Sequence, residues 1–122
     1  MKKENPIRDK SFAFAVRVVN TYKFLSTEHK EYVMSKQLLR SGTAVGALYR
    51  EAEQAESKAD FVHKLGIAQK ECNETMYWLE LLHATEYLER EVFDSLFSDA
   101  QELIRLLTAI IKSSKGITIV NG

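Results

Sequence analysis

Three histidines, one cysteine and a scatter of carboxylates are the side chains in this 122-residue sequence that could do chemistry. Their spacing decides whether they can. Glu80-Leu-Leu-His83 sets a carboxylate and an imidazole three residues apart on one helix face, the way a helical bundle presents two metal ligands. Asp60-Phe-Val-His63 repeats that spacing about five turns away, whereas a dinuclear site needs two such pairs side by side and two further inward carboxylates. No metal or other cofactor is expected. Cys72 would need a base beside it to act as a nucleophile, and none of His29, His63 and His83 shares its stripe at one-turn spacing. It reads as a small buried hydrophobe. Phosphate loops, dinucleotide fingerprints and serine-nucleophile motifs are missing from the sequence, so neither enzymatic activity nor a small-molecule substrate is expected.

The elements that would position these residues are helical. One proline and five glycines leave too few turn formers for a sandwich or barrel. A first helix is expected from a cap at Asp9 or Ser11 to about Thr27. Its apolar residues form two stripes, Phe12, Ala15, Val16, Val19 and Tyr22 on one and Phe14, Val18, Tyr22 and Leu25 on the other, more than one core face requires. A second helix is expected from about Glu31 to Glu56, with Val33, Leu38, Val45, Leu48, Tyr49 and Ala52 apolar. Ser57-Lys-Ala-Asp60 resembles a capping box, and behind it Phe61, Leu65, Ala68, Cys72, Thr75, Leu79 and Leu82 alternate at intervals of four and three, a heptad seam. A fourth helix, about Glu91 to Ser114, carries Phe93, Leu96, Ala100, Leu103, Leu107 and Ile110 and stops at Gly116. Short connections make neighbours antiparallel. The expected fold is all-α, an up-down-up-down four-helix bundle over residues 7–115, with residues 1–6 and 116–122 as flexible termini.

If the second and third helices turn back at about Ser57, facing positions have numbers summing to about 114. Gly42 then faces Cys72 and Gly46 faces Ala68, a small-on-small crossing. Arg40 faces Glu74, with Glu71 one turn away, as an interhelical ion pair. Asp60 and Lys64 form an i,i+4 pair. Met76-Tyr77-Trp78 sweeps about 200° of a helix, so at least one of the three points outward. Tyr77 and Trp78, together with Phe14 and Val18, are the candidate subunit interface.

Charge is balanced, 17 basic against 17 acidic residues, which excludes a polycation that coats nucleic acid through net charge alone. It is unevenly placed. Residues 1–50 hold 10 Lys/Arg against 4 Asp/Glu, and residues 51–102 hold 4 against 13. Arg8, Lys10, Arg17, Lys23, Lys36 and Arg40 are the candidate phosphate contacts. If they cluster exposed on one face, association with structured RNA or another nucleic acid follows. If acidic partners lie against them, a self-assembling protein-interaction module fits better. The lone cysteine excludes an intrachain disulfide and suits a reducing cytoplasm. The N-terminus has no signal-peptide pattern and no apolar run is long enough for a membrane span.

Several stretches resemble the 23S rRNA intervening-sequence protein family: Leu38-Leu-Arg-Ser-Gly-Thr-Ala-Val-Gly-Ala47, Ser57-Lys-Ala-Asp-Phe61 continuing through Tyr77-Trp78-Leu79, the opening Ile7-Arg-Asp-Lys-Ser-Phe12 and the closing Ile110-Ile-Lys-Ser-Ser114. The resemblance covers about residues 7–115. Where the family commonly reads Ser-Ile-Gly/Pro-Ala-Asn-Ile, this chain has Ala44-Val-Gly-Ala-Leu-Tyr49 and so lacks two polar groups. The resemblance implies a small four-helix bundle of largely uncharacterised biochemistry. Relatives of similar shape include the accessory variability determinant of diversity-generating retroelements, a homopentamer that binds nucleic acid. By that likeness, a cyclic homopentamer with RNA association is the expectation here.

Overall fold

A computed structural model describes residues 4–116. The expectations placed on residues 1–3 and 117–122 lie outside the described residues. The chain becomes helical at Pro6, whose fixed φ and missing N–H suit a first helical position. Asn5 is the cap, its Oδ1 accepting from the Arg8 N–H at 3.2 Å, and its amide reaches Tyr49 Oη at 3.1 Å. The expected cap at Asp9 or Ser11 is therefore displaced. Asn5 and Pro6 are part of the fold rather than of a loose terminus. Ser11 sits buried inside the helix and donates back to the Arg8 carbonyl.

Four helices follow: α1 (Pro6–Glu28), α2 (Met34–Glu53), α3 (Lys58–Ala84) and α4 (Arg90–Ser114). Each packs against its sequence neighbours, α1 closes on α4 with the slightest contact of the four pairs, and diagonal helices do not approach each other. At 1.5 Å per residue the bundle is about 30–40 Å long. One buried seam runs through it, built from Phe14, Val18 and Leu25 of α1, Leu38 and Val45 of α2, Leu65, Leu79 and Leu82 of α3, and Leu96, Leu103 and Leu107 of α4. Ser57 caps α3 as the capping-box pattern requires, accepting from the Asp60 N–H at 3.0 Å, and Asp60 in turn accepts from the Glu56 N–H.

The largest departure from the sequence pattern is the start of α2. Residues 29–33 are not helical, and Val33, expected on the core stripe, is 75% exposed. Lys30 takes a left-handed turn (φ 54) that ends α1, and the Glu31 N–H bonds to the Leu25 carbonyl. Glu31 then folds its buried carboxylate over the first turn of α2. Oε2 accepts from the Val33 and Met34 N–H groups, both at 3.1 Å, and Oε1 from the Ser35 N–H at 2.7 Å. Burial alone would raise this carboxyl, but the Ser35, Met34 and Val33 donors outweigh it and hold the group below its ordinary value. Three of the four unpaired helix donors are thus satisfied by one side chain beside the positive end of the helix dipole.

Glycine spacing along α2 encodes a close approach, but to α1 and not to α3. A Cβ on Gly42 would lie 2.8 Å from both γ-methyls of Val18, and one on Gly46 would lie 3.3 Å from the Ser11 carbonyl oxygen and hydroxyl. The nearest neighbours of a side chain at either glycine are α1 residues rather than the expected α3 partners, Cys72 for Gly42 and Ala68 for Gly46. The α2–α3 register itself agrees with the sequence arithmetic. Arg40 meets Glu71 and Glu74, and Ser41 Oγ lies 2.9 Å from Thr75 Oγ1, each hydroxyl also within reach of a carbonyl one turn back.

Two predictions follow from this packing. Glu31→Ala is expected to lower the unfolding free energy by about 1–2 kcal/mol at neutral pH in urea titration. Because the folded carboxyl titrates below the ordinary glutamate range, its contribution is complete at neutral pH and is lost as pH falls through the depressed folded value. The gap between wild type and variant should therefore narrow in acid, and a gap independent of pH would contradict the cap. Among the glycines, Gly42→Ala should destabilise by about 1–3 kcal/mol because stiff Val18 cannot move aside. Gly66→Ala, with nothing within 4 Å of the added carbon, should stabilise by about 0.5–1 kcal/mol through helix propensity. Equal effects at both positions would place Gly42 on the wrong face.

Candidate functional site

The six cations singled out by sequence divide into two groups. Arg8 lies 3.4 Å from Glu53, Lys10 3.1 Å from Glu102, Arg17 2.5 Å from Asp99, and Arg40 3.0 Å from Glu71 with Glu74 closer still. Lys23 and Lys36 are exposed and make no ion pair with any described residue. The basic first half and the acidic remainder therefore meet within one chain, along the α1–α4 seam (Lys10, Arg17) and the α2–α3 seam (Arg40). Lys64, expected to pair with Asp60, instead reaches back 3.2 Å to Glu51 of α2, leaving Asp60 to its capping role.

The Arg40 cluster is the densest of these contacts. Glu74 Oε2 accepts from the Trp78 indole N–H at 2.9 Å and from an Arg40 guanidinium N–H. Trp78 first, then Arg40, lowers the Glu74 carboxyl from its ordinary value, and the Glu74 hydrogen bond raises Arg40 in return. Trp78 is thus committed to its own bundle along one edge, while Tyr77 stands exposed with its ring edge-on to the indole. Phe14 and Val18, the other two expected interface residues, are buried in the core. Of the two apolar stripes on α1, the one facing inward carries Phe14, Val18 and Leu25, and the exposed side chains are Phe12, Val16 and Phe24. Arg50 lies 5.7 Å over the Phe12 ring, a cation–π contact across the α1–α2 groove.

Cys72 and His83 both make contacts within the bundle. Cys72 is buried, its Sγ 3.3 Å from the Ala100 carbonyl, and burial pushes the thiol up to about 12. His83 Nδ1 lies 2.9 Å from the Leu88 carbonyl and its ring stacks on Phe93, which ties the α3–α4 connection to the bundle. Glu80 is exposed. Among the described residues no three His, Cys, Asp or Glu side chains converge as a metal set, and no helix is long and apolar enough to cross a membrane.

One feature was not anticipated from sequence. A cavity of about 620 Å³ opens where α1 ends and α4 begins. Phe24, His29, Tyr87 and Val92 line it, with Glu86 and Glu89 from the connection before α4. The His29 ring meets Phe24 and Tyr87 edge-on at 5.1 and 5.7 Å. No spacing rule reaches this cluster, because its members come from three separate segments; exposed aromatic residues flanking two polar loops are the only trace it leaves in the sequence.

The described residues form an antiparallel four-helix bundle with opposite charges paired across its seams. Residues 3–109 match the 23S rRNA-intervening sequence protein family, and the chain belongs to that family. It is similar to a crystal structure from Bacteroides thetaiotaomicron, described as a protein of unknown function from the S23 ribosomal protein family. The two are 62% identical, the match covers 87% of this chain and 98% of that one, and the TM-score is 0.86. No curated protein matches the chain.

The seam pairs are half-exposed, so each is worth only a few tenths to about 1 kcal/mol. Arg17→Glu should nonetheless lower the urea midpoint, since it sets a second carboxylate against Asp99. Adding Asp99→Lys should recover most of the loss. A double variant whose effect equals the sum of the two single effects would show that the pair is uncoupled.

Proposed function

We propose that this protein is a non-catalytic, self-assembling interaction module that works as a homo-oligomer. The observation that carries this reading is how charge and apolar surface are disposed. Four of the six cations that would have formed a phosphate-binding face are engaged by carboxylates of the same chain, while Phe12, Val16, Phe24, Tyr32, Val33, Tyr77 and Val92 stand exposed. Phe24 and Val92 share one cavity, and an exposed apolar patch of that kind supports a surface covered in the working state. The buried, high-pKa thiol and the structural engagement of His83 support a role without chemistry. A reducing compartment such as the cytoplasm suits the single free cysteine. The family likeness points to five subunits, a particle of about 70 kDa from chains of 14.0 kDa.

A second reading, association of the assembled particle with RNA, is favoured by the family's description and by the unpaired Lys23 and Lys36. Two cations per chain, repeated around a ring, support weak and salt-sensitive contact with a phosphate backbone and little sequence preference. Lys10 and Arg17 are poor positions for testing it, because reversing their charge also breaks the α1–α4 seam.

Light scattering at tens of micromolar is expected to give a multiple of the chain mass, and a 14.0 kDa particle would overturn the assembly reading. With the oligomer intact, Lys23→Glu should weaken any binding to a structured RNA at low salt at least severalfold. Binding unchanged by it would sink the view that Lys23 holds RNA.

A further inference from the structure

We infer that the cavity between the end of α1 and the start of α4 is the socket of a subunit contact, and that its occupant is the Tyr32–Val33 knob of a second copy of this chain. The inference rests on the assembly reading above and names the surfaces that would carry it.

The socket is mostly apolar, with two unpaired carboxylates in its lining. Phe24, Tyr87 and Val92 supply its apolar walls, Arg17 also lines it but is paired with Asp99, and Glu86 and Glu89 make no ion pair with any described residue. The knob has the opposite character. Tyr32 is 49% and Val33 75% exposed, two large apolar side chains on a short connection, flanked by Lys30 and Lys36, which are exposed and unpaired among the described residues. An apolar pair between two cations thus matches an apolar hollow beside two anions, which is the charge complementarity that fixes register and discourages other partners.

The knob is also held in shape before any partner arrives. Glu31, immediately before it, is buried and anchors the Val33, Met34 and Ser35 backbone N–H groups, and the Glu31 N–H returns to Leu25. Presenting Tyr32 and Val33 therefore carries little of the ordering cost that weakens contacts made by loose loops. Neither side chain has a place in the core of its own bundle.

Socket and knob lie at the same end of the bundle, where α1 ends and the connection to α2 begins. The contact joins unlike surfaces, and such a heterologous contact repeats from copy to copy and closes into a ring when the rotation allows.

The test uses the full chain and sedimentation velocity, with far-UV circular dichroism confirming that each variant is helical. Tyr32→Ser with Val33→Asp should shift the particle to the 14.0 kDa monomer at concentrations where wild type is assembled. Glu86→Lys with Glu89→Lys should weaken assembly at least tenfold at low salt, and Lys30→Glu with Lys36→Glu in that background should restore it. If wild type assembles but the knob variant assembles equally well, the interface lies elsewhere and this inference is wrong while the assembly reading stands. If reversing the lysines fails to rescue, the charge complementarity is refuted. A wild-type monomer would overturn both.

Discussion

Everything on the surface of this molecule is a remainder of one constraint, the closure of a single buried seam by four helices that each touch only two others. Each helix must spend one stripe on that seam, and the tight crossing of α1 and α2 decides which stripe α1 spends. Gly42 admits the γ-methyls of Val18 at a distance no β-carbon would allow, so Val18 and, one turn away, Phe14 turn inward. Phe12, Val16 and Phe24 are then left outside. Had α2 carried a larger residue at position 42, the rotation of α1 and the composition of its outer face would have had to change together.

The ion pairs follow from the same geometry. Antiparallel closure brings a basic α1 beside an acidic α4, and a basic α2 beside an acidic stretch of α3, so Lys10–Glu102, Arg17–Asp99 and Arg40–Glu71/Glu74 form along the edges. Half-exposed pairs of this kind add little stability individually. With Arg8–Glu53 they set carboxylates against four of the ten cations that the sequence concentrates in its first half.

Periodicity made the fold legible, and register made part of the candidate surface legible. The four-three alternation from Phe61 to Leu82 identifies the α3 seam, and a turn at Ser57 places Arg40 against Glu74. What escaped the sequence did so for physical reasons. Glycine spacing marks a close approach but carries no information about which neighbour approaches, so Gly42 and Gly46 point as readily to α3 as to α1. The two stripes of α1 are nearly equal in apolar content, so pattern alone does not choose between Phe14/Val18 and Phe12/Val16. Glu31 caps α2 from a distance, through a carboxylate folded back from the preceding connection, and the usual short-side-chain cap signature is missing there. The cavity draws on α1, the first connection and the start of α4, and only the closed bundle brings these together.

Whether chains meet socket to knob is read most directly by zero-length carbodiimide cross-linking of a mixture of isotopically heavy and light chains. Cross-links of mixed isotopic composition are expected to join Lys30 or Lys36 of one copy to Glu86 or Glu89 of another, and to be lost when Tyr32 and Val33 are replaced. Mixed cross-links confined to other surfaces, or none at all at concentrations of tens of micromolar, would contradict it.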